Sequence, residues 1–360
     1  MSLQAIKYVV AQGVSKSELV VCFKVLYEGQ QTKIKGSRKF TNTPKGHADL
    51  KNWIEKRRKD ESIPVLVVME ATGVYHEQSA YYFHEQGYQV SVVLPSQSAN
   101  YFKSLGNKSK TDKIDAQGLA QMGAERTLRL WQPPSKEVRN IRHLNRHKNA
   151  LGKTKTQLRN RLHAHHHSAQ SNNVIINQLK EHIAYIDDQI TQVVAAIEQA
   201  LATESEFGKK VHKIADSISG IGAASVAAIA AETDGFALFT SVAQLTSFAG
   251  YDVVQNQSGL HRGKTKISKK GNPHIRKTMF FPALNVVRME VDTFVNLYER
   301  VFDRTKIKMK GYVAVQRKLL CILYTLWKKN EAFDANYHNE LAHKEKAALK
   351  EPAVASATLD

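Results

Sequence analysis

The sequence predicts an α/β domain followed by a long, mostly helical remainder. Two patterns carry that expectation. In the first third, short β-rich apolar runs alternate with helical stretches, and from about residue 138 onward apolar residues recur at spacings of three, four and seven. A third observation sets the chemistry such a chain meets. There are 52 Lys and Arg against 33 Asp and Glu, a net charge of +19 with a pI near 9.7. A protein so basic gathers polyanions, because each Lys or Arg laid on a phosphate releases condensed counterions.

Residues 7–10 and 19–26 are predicted strands joined by the polar stretch 13–18, with a third strand over 32–40. Thr43-Pro44 opens a helix running to about Lys59, with proline in its first turn. The short apolar run 65–69 reads as a buried strand, followed by a helix over 75–86 and a strand over 89–94. A helix from about 111 to 125 closes this unit before Pro133-Pro134. Three strands, helix, strand, helix, strand, helix is the order of a ribonuclease-H-like α/β fold, placed here over residues 1–132.

Residues 133–207 carry two coiled-coil-like stripes. Val138, Ile141, Leu144, Leu151, Leu158 and Leu162 form the first, and the second runs from Leu179 through Ile183, Ile186, Ile190, Val193 and Ile197 to Leu201. The polar stretch 163–173 between them suits a hairpin turn. The stripes can cover each other or a second subunit, and periodicity alone does not choose. Residues 208–335 form a third, mostly α-helical domain. There, 214–219, Gly220-Ile221-Gly222 and 223–231 have the form of a helix-hairpin-helix whose glycines let backbone approach a phosphate. After Gly250 comes a long polar segment. Asn272-Pro273 then caps a helix to about Val287, and another helix spans about 312–328. Residues 336–360, rich in Ala, Lys and Glu, read as a disordered tail.

Hydrophobic residues make up 42%, enough for real cores. The first residues, MSLQAIKYVVAQG, have no apolar core of signal-peptide kind, and no run approaches the ~20 apolar residues that span a bilayer. Cys22 and Cys321 stand far apart in apolar surroundings, as buried thiols do in a reducing compartment. These features point to a cytoplasmic, prokaryotic, nucleoid-associated protein without a membrane partner.

Three acidic residues stand where a metal site on such a fold would need them. Glu70 ends a strand before Ala71-Thr72-Gly73, and Asp112 and Asp115 project from one face at the start of a helix. Carboxylates of this kind hold Mg²⁺, a hard cation preferring oxygen ligands. Taken singly, each also has a simpler use, since an acidic pair in a first turn serves the helix dipole. The second feature is Ser258-Gly259 followed by Arg262, Lys264, Lys266, Lys269, Lys270, Arg276 and Lys277, with no acidic residue from 258 to 277. A serine among cations can attack a phosphodiester, and the same spacing equally suits a loop feeding a nucleic-acid-binding surface. His163, His165, His166 and His167 lack a neighbouring Cys or acidic ligand and read as a basic helix end rather than a zinc site. The helix over 312–328 reads as core on one face and phosphate contact on the other.

Together these segments resemble a known family. Val14-Ser15-Lys16, Met69-Glu70-Ala71-Thr72-Gly73 and the run from Lys108 through Asp112 and Asp115 to Ala116 resemble the N-terminal domain of the DEDD transposases. These are the recombinases of the insertion-sequence 110 family, related to the Piv DNA invertases. Ile218-Ser219-Gly220-Ile221-Gly222, Phe248-Ala249-Gly250-Tyr251 and the segment from Ser258-Gly259 to Gly271-Asn272 resemble that family's C-terminal transposase domain, so the likeness covers about 7–335. The resemblance implies a RuvC-like first domain with an acidic tetrad binding Mg²⁺, and Ser258 as nucleophile. It also implies a homo-oligomer, dimer or tetramer, with composite sites, and a structured bridge RNA pairing with donor and target DNA.

One position departs from the pattern. The family has Asp two residues before Ser15-Lys16, and this chain has Gly13. Gln12 faces the other side of the strand, and Glu18 lies beyond the strand's end. Three readings stand: an RNA-guided serine recombinase, a nucleic-acid-binding variant that no longer cuts, and a metal-dependent nuclease or junction resolvase that activates water.

Overall fold

The computed structural model describes residues 4–71, 73–106, 111–202, 205–237, 239–254, 257–258, 261–263 and 266–335. The chain divides after Pro133 into two compact units. The expected tail, 336–360, lies outside the described residues.

In the first unit β1 (Ala5–Val14), β2 (Glu18–Tyr27) and β3 (Thr32–Thr41) form an antiparallel meander. Helix α1 (Pro44–Glu55) follows, its first turn held by the Thr43 hydroxyl accepting from the Gly46 N–H. Then come β4 (Val65–Glu70), α2 (Glu77–Glu85) and β5 (Gln89–Val93). Strands β4 and β5 add in parallel to β1, giving the sheet order β3-β2-β1-β4-β5. That order and polarity are those of the RuvC-like, ribonuclease-H-like fold the sequence predicts.

The central strands are buried on both faces, so they read as continuous apolar runs rather than alternating ones. Tyr8, Val10, Val67 and Met69 pack with Trp53 and Phe83 on one side. On the other, Val9, Ala11, Leu66 and Val68 meet Tyr101, Leu119 and Ala120. The latter three belong to α3 (Pro95–Ser104) and α4 (Asp112–Glu125). Gly123 lets α4 lie flat on the sheet. A Cβ there would stand 2.7 Å from Val9 Cγ1 and 2.8 Å from Val68 Cγ2.

Helix α3 is an addition to the expected order. Its sequence, PSQSANYFKS, buries only Ser98 and Tyr101, so the helical period leaves almost no apolar trace.

The second unit begins with α5 (Lys136–His166) and α6 (Asn173–Leu201), which pack antiparallel within the chain. Lys155 of α5 pairs with Asp187 of α6, and Val138 and Ile141 share a core with Ile197 and Leu201. The stripes therefore cover each other. Among the described residues no helix is long and apolar enough to cross a membrane.

The same core takes in α7 (Glu206–Ser217), α8 (Ala223–Glu232), α9 (Val242–Phe248), α10 (Pro273–Arg288), α11 (Asp292–Thr305) and α12 (Lys308–Lys329). The separation expected at 207/208 is thus not a break between compact bodies, because the roots of the hairpin are buried against α7 and α8. The α7–α8 turn also differs from its expected use. Gly220 has φ of +97°, and a Cβ on it would lie 2.9 Å from the backbone of Asn285 and Val286. Its backbone approaches α10, not open solvent. Gly222, at the α8 N-cap, has open space beside it.

Candidate active site

The carboxyl ends of β1 and β4 lie side by side, with Gln12 paired to Met69, so Gly13 and Glu70 follow at the same level. The period-two alternation points Gln12 to the α1/α2 side, where its Oε1 accepts a 2.6 Å hydrogen bond from the Ser79 hydroxyl. Gly13 faces the α4 side, and a Cβ built on it would stand 3.6 Å from the Asp112 backbone oxygen. Its φ is not in the left-handed region, since the glycines with positive φ do not include it. A side chain at position 13 would therefore project toward the first turn of α4.

That turn is capped by Thr111, whose hydroxyl accepts from the Ile114 N–H. Asp112 is exposed and Asp115 half-buried. Glu70 accepts a 2.6 Å hydrogen bond from Ser98 Oγ of α3. Glu18 is occupied elsewhere, paired at 2.9 Å with Lys39. That hydrogen bond and its charge raise the Lys39 pKa, with a smaller push from Asp112.

Glu70, Asp112 and the Gly13 gap thus share one edge, but the carboxylates do not gather. Among the described residues no group of three or more His, Cys, Asp or Glu is placed to hold a metal ion. As it stands, the donor set does not fit Mg²⁺.

Ser258 lies in a ribbon between α9 and α10. Strands β6 (Val253–Val254) and β9 (Lys266–Ile267) form an outer antiparallel pair, and β7 (Gln257–Ser258) and β8 (His261–Arg262) an inner one. Ser258 is paired with His261, and the backbone alone is described for both and for Arg262. Gly259 and Lys264 lie outside the described residues.

The ribbon's base is closed by several hydrogen bonds. The Ser268 N–H donates to Asp252 O (2.8 Å), Lys269 N–H to Gly250 O (3.1 Å) and Asn272 N–H to Phe248 O (2.7 Å). Of the expected cations, Lys266, Lys269, Lys270 and Lys277 are exposed. Arg276 is not presented to solvent in the same way. It is half-buried and donates to Ala249 O at 2.8 Å, so it staples the ribbon's base.

At the ribbon's root is a buried network that joins distant parts of the sequence. Glu232, 5% exposed at the end of α8, accepts two 2.8 Å hydrogen bonds from the Arg146 guanidinium. It accepts a third, at 2.7 Å, from Asn272 Nδ2. Asn272 Oδ1 in turn caps α10. Burial pushes the Glu232 carboxyl up, but the hydrogen bonds and charge of Arg146 and Asn272 outweigh it and hold the pKa below its ordinary value.

The available signal was a lone acid closing an otherwise apolar, Ala-rich helix. Glu232→Ala strands a charged partner and is expected to lower unfolding free energy by roughly 2 kcal/mol in urea titration. Because the folded pKa is depressed, this contribution is full above the ordinary glutamate range. It fades as pH falls through the folded value. An unchanged midpoint for Glu232→Ala at neutral pH would contradict the assignment.

Residues 14–169 match a family model described as a DEDD transposase. Residues 212–299 match one described as "Transposase IS116/IS110/IS902 family". The chain is 31% identical over 304 residues to the pilin gene-inverting protein of Moraxella bovis, spanning 83% of this chain and 91% of that protein. The chain belongs to the IS110 family of DEDD transposases.

The pilin gene-inverting protein of Moraxella lacunata is 31% identical over the same extent. The family is one of enzymes that act on DNA, which accounts for the net charge of +19. A solved structure, T. thermophilus RuvC in complex with Holliday junction substrate, is similar over 34% of this chain and 99% of that chain. Its TM-score is 0.27 at 11% identity, too slight a likeness to add to the strand order.

Proposed function

We propose that this chain is an RNA-guided DNA recombinase of an insertion sequence that cuts and rejoins strands through Ser258. The observation that carries the reading is Ser258's position in a β-ribbon that is closed at its base by backbone hydrogen bonds and also carries the exposed cations Lys266, Lys269 and Lys270. In the proposed reaction the Ser258 hydroxyl loses its proton and its oxygen attacks phosphorus. A phosphoserine ester forms, and the broken strand leaves through a deoxyribose oxygen that takes up a proton. The ester conserves the phosphodiester bond, so attack by another strand's hydroxyl rejoins DNA without an external energy source. Neighbouring cations stabilise the charge of the pentacovalent state. Two inverted sites joined in this way yield inversion, the outcome named for the Moraxella relatives.

Within this proposal the protein works in the cytoplasm as a dimer or tetramer. Its Ser258 ribbon and the Glu70 edge of a partner complete one another. Mg²⁺ would be held at the edge carrying Glu70, Asp112 and Asp115 only once a fourth carboxylate is supplied. A second reading is favoured by Gly13: without that carboxylate the chain binds nucleic acid and does not cut.

Guidance by a structured RNA has a direct test. The purified protein is expected to carry one defined RNA species, released steeply as salt rises because many phosphates are neutralised together. Nuclease treatment should lower both the absorbance ratio at 260 and 280 nm and the mass of the complex. Identical values before and after treatment would remove the RNA from the account.

A further inference from the structure

The hairpin α5–α6 carries its charge unevenly, and neither the acidic edge nor the Ser258 ribbon explains why. Helix α5 is 31 residues long, a rod of about 46 Å. The sequence has no Asp or Glu between Glu137 and Glu181. Helix α6, lying against it, carries Glu181, Asp187, Asp188 and Glu198 with Lys180 as its one Lys or Arg. The hairpin is therefore basic along one helix and acidic along the other.

Six of the nine Lys and Arg of α5 fall into two groups. Arg142 pairs with Asp234, Arg146 with Glu232 and Lys155 with Asp187, so these three serve the fold. Lys153, Arg159 and Arg161 are exposed, and their side chains make no ion pair or hydrogen bond among the described residues. The exposed His143, His147, His163 and His166 extend the same carboxylate-free surface. Fixing so many unpaired cations along one straight rod costs repulsion that a bound polyanion relieves.

The surface also adjoins one of the cations that follow Ser258 in the chain. Lys277, in the first turns of α10, donates to the Asn149 backbone oxygen of α5 at 3.3 Å. This cation thus adjoins the point where the α5 stripe begins.

We infer that the solvent-exposed side of α5, with Lys153 at its middle and Arg159 and Arg161 on its two flanks, is a docking surface for the phosphate backbone of duplex DNA. A straight helix of this length lies along a duplex without reading its bases, so the contact fixes position and adds affinity rather than sequence choice. It is independent of whether Ser258 is the nucleophile, since it asks only where the DNA lies.

The test is binding of a fluorescent mixed-sequence duplex of about 30 base pairs, followed by anisotropy between roughly 50 and 200 mM salt. The full-length protein is compared with its Lys153→Gln/Arg159→Gln/Arg161→Gln variant. Glutamine keeps the helix propensity of the residues it replaces, and all three sites are exposed, so far-UV circular dichroism should be unchanged. The log–log salt slope is expected to shrink by about two to three, with affinity at the lower salt weakened roughly tenfold or more. Arg161→Gln alone should lose about one unit of slope.

A control, Glu181→Gln/Asp188→Asn on α6, should leave the slope as it is. An unchanged slope in the triple variant would overturn the inference. So would an equal loss in the α6 control, or loss of binding to a hairpin RNA with duplex DNA binding intact.

Discussion

Replacing Ser258 by alanine is expected to abolish strand exchange and covalent protein–DNA linkage while leaving DNA and RNA binding in place. The comparison belongs in the Gly13→Asp background, where the acidic edge is complete. The rate should fall by more than about 10³-fold, as when other enzymes lose a nucleophile on which the remaining groups act. The fold should be spared, because the change removes one hydroxyl from a ribbon held by backbone bonds at its base. Ser258→Cys keeps a nucleophile of altered size and acidity, and is expected to retain a fraction of linkage. Normal recombination by Ser258→Ala would remove Ser258 from the chemistry and favour a nuclease that activates water.

Gly13→Asp is expected to raise Mg²⁺-dependent cleavage or strand exchange by at least about ten- to hundredfold, the scale on which a missing group around a metal is felt. The nearest obstacle to a Cβ stands 3.6 Å away, an ordinary contact, and the backbone is not left-handed. The new carboxylate would point at the first turn of α4, where Asp112 begins the helix. Without a cation it adds a negative charge to the edge that already carries Glu70 and Asp112. Stability should therefore be lower in chelator and recover with Mg²⁺, a dependence the Gly13 protein lacks. Equal activity in both proteins, and equal melting with and without Mg²⁺, would show that position 13 is not a ligand site.

The first unit was largely legible in the sequence because its strands obey simple signals. Buried parallel strands read as an unbroken apolar run at 65–69 and as a Val-rich run interrupted by Ser91 within 89–94, and Thr43-Pro44 and Thr111 announce helix starts by capping. Helix α3 escaped because a helix that buries only Ser98 and Tyr101 has no apolar face to read. Helix α11 is absent from the expected order although its signal is readable, since Phe294, Leu297, Tyr298, Val301 and Phe302 recur at spacings of three and four. The ribbon around Ser258 was legible only as a polar segment, since strands of two residues are too short for any period to appear.

The candidate site divides in the same way. That Glu70 and position 13 stand at the ends of neighbouring strands follows from strand order, which sequence pattern can supply, whereas the approach of the Asp112 backbone to position 13 depends on how α4 packs. That Arg276 is a staple rather than a surface cation does not follow, because charge does not reveal which carbonyl a guanidinium meets. The Glu232–Arg146–Asn272 network joins residues 86 and 40 positions apart, a separation beyond any local rule.

The account rests on a bond between this protein and DNA, and that bond can be isolated. A suicide DNA substrate, nicked so that the cleaved strand diffuses away, should trap the adduct in the Gly13→Asp protein. Digestion and mass spectrometry of the linked peptide then identify the residue. The account predicts a nucleotide mass on the peptide containing Ser258, in a linkage that survives acid and is absent from Ser258→Ala. Cleaved DNA with no protein attached, or attachment to another residue, would contradict it.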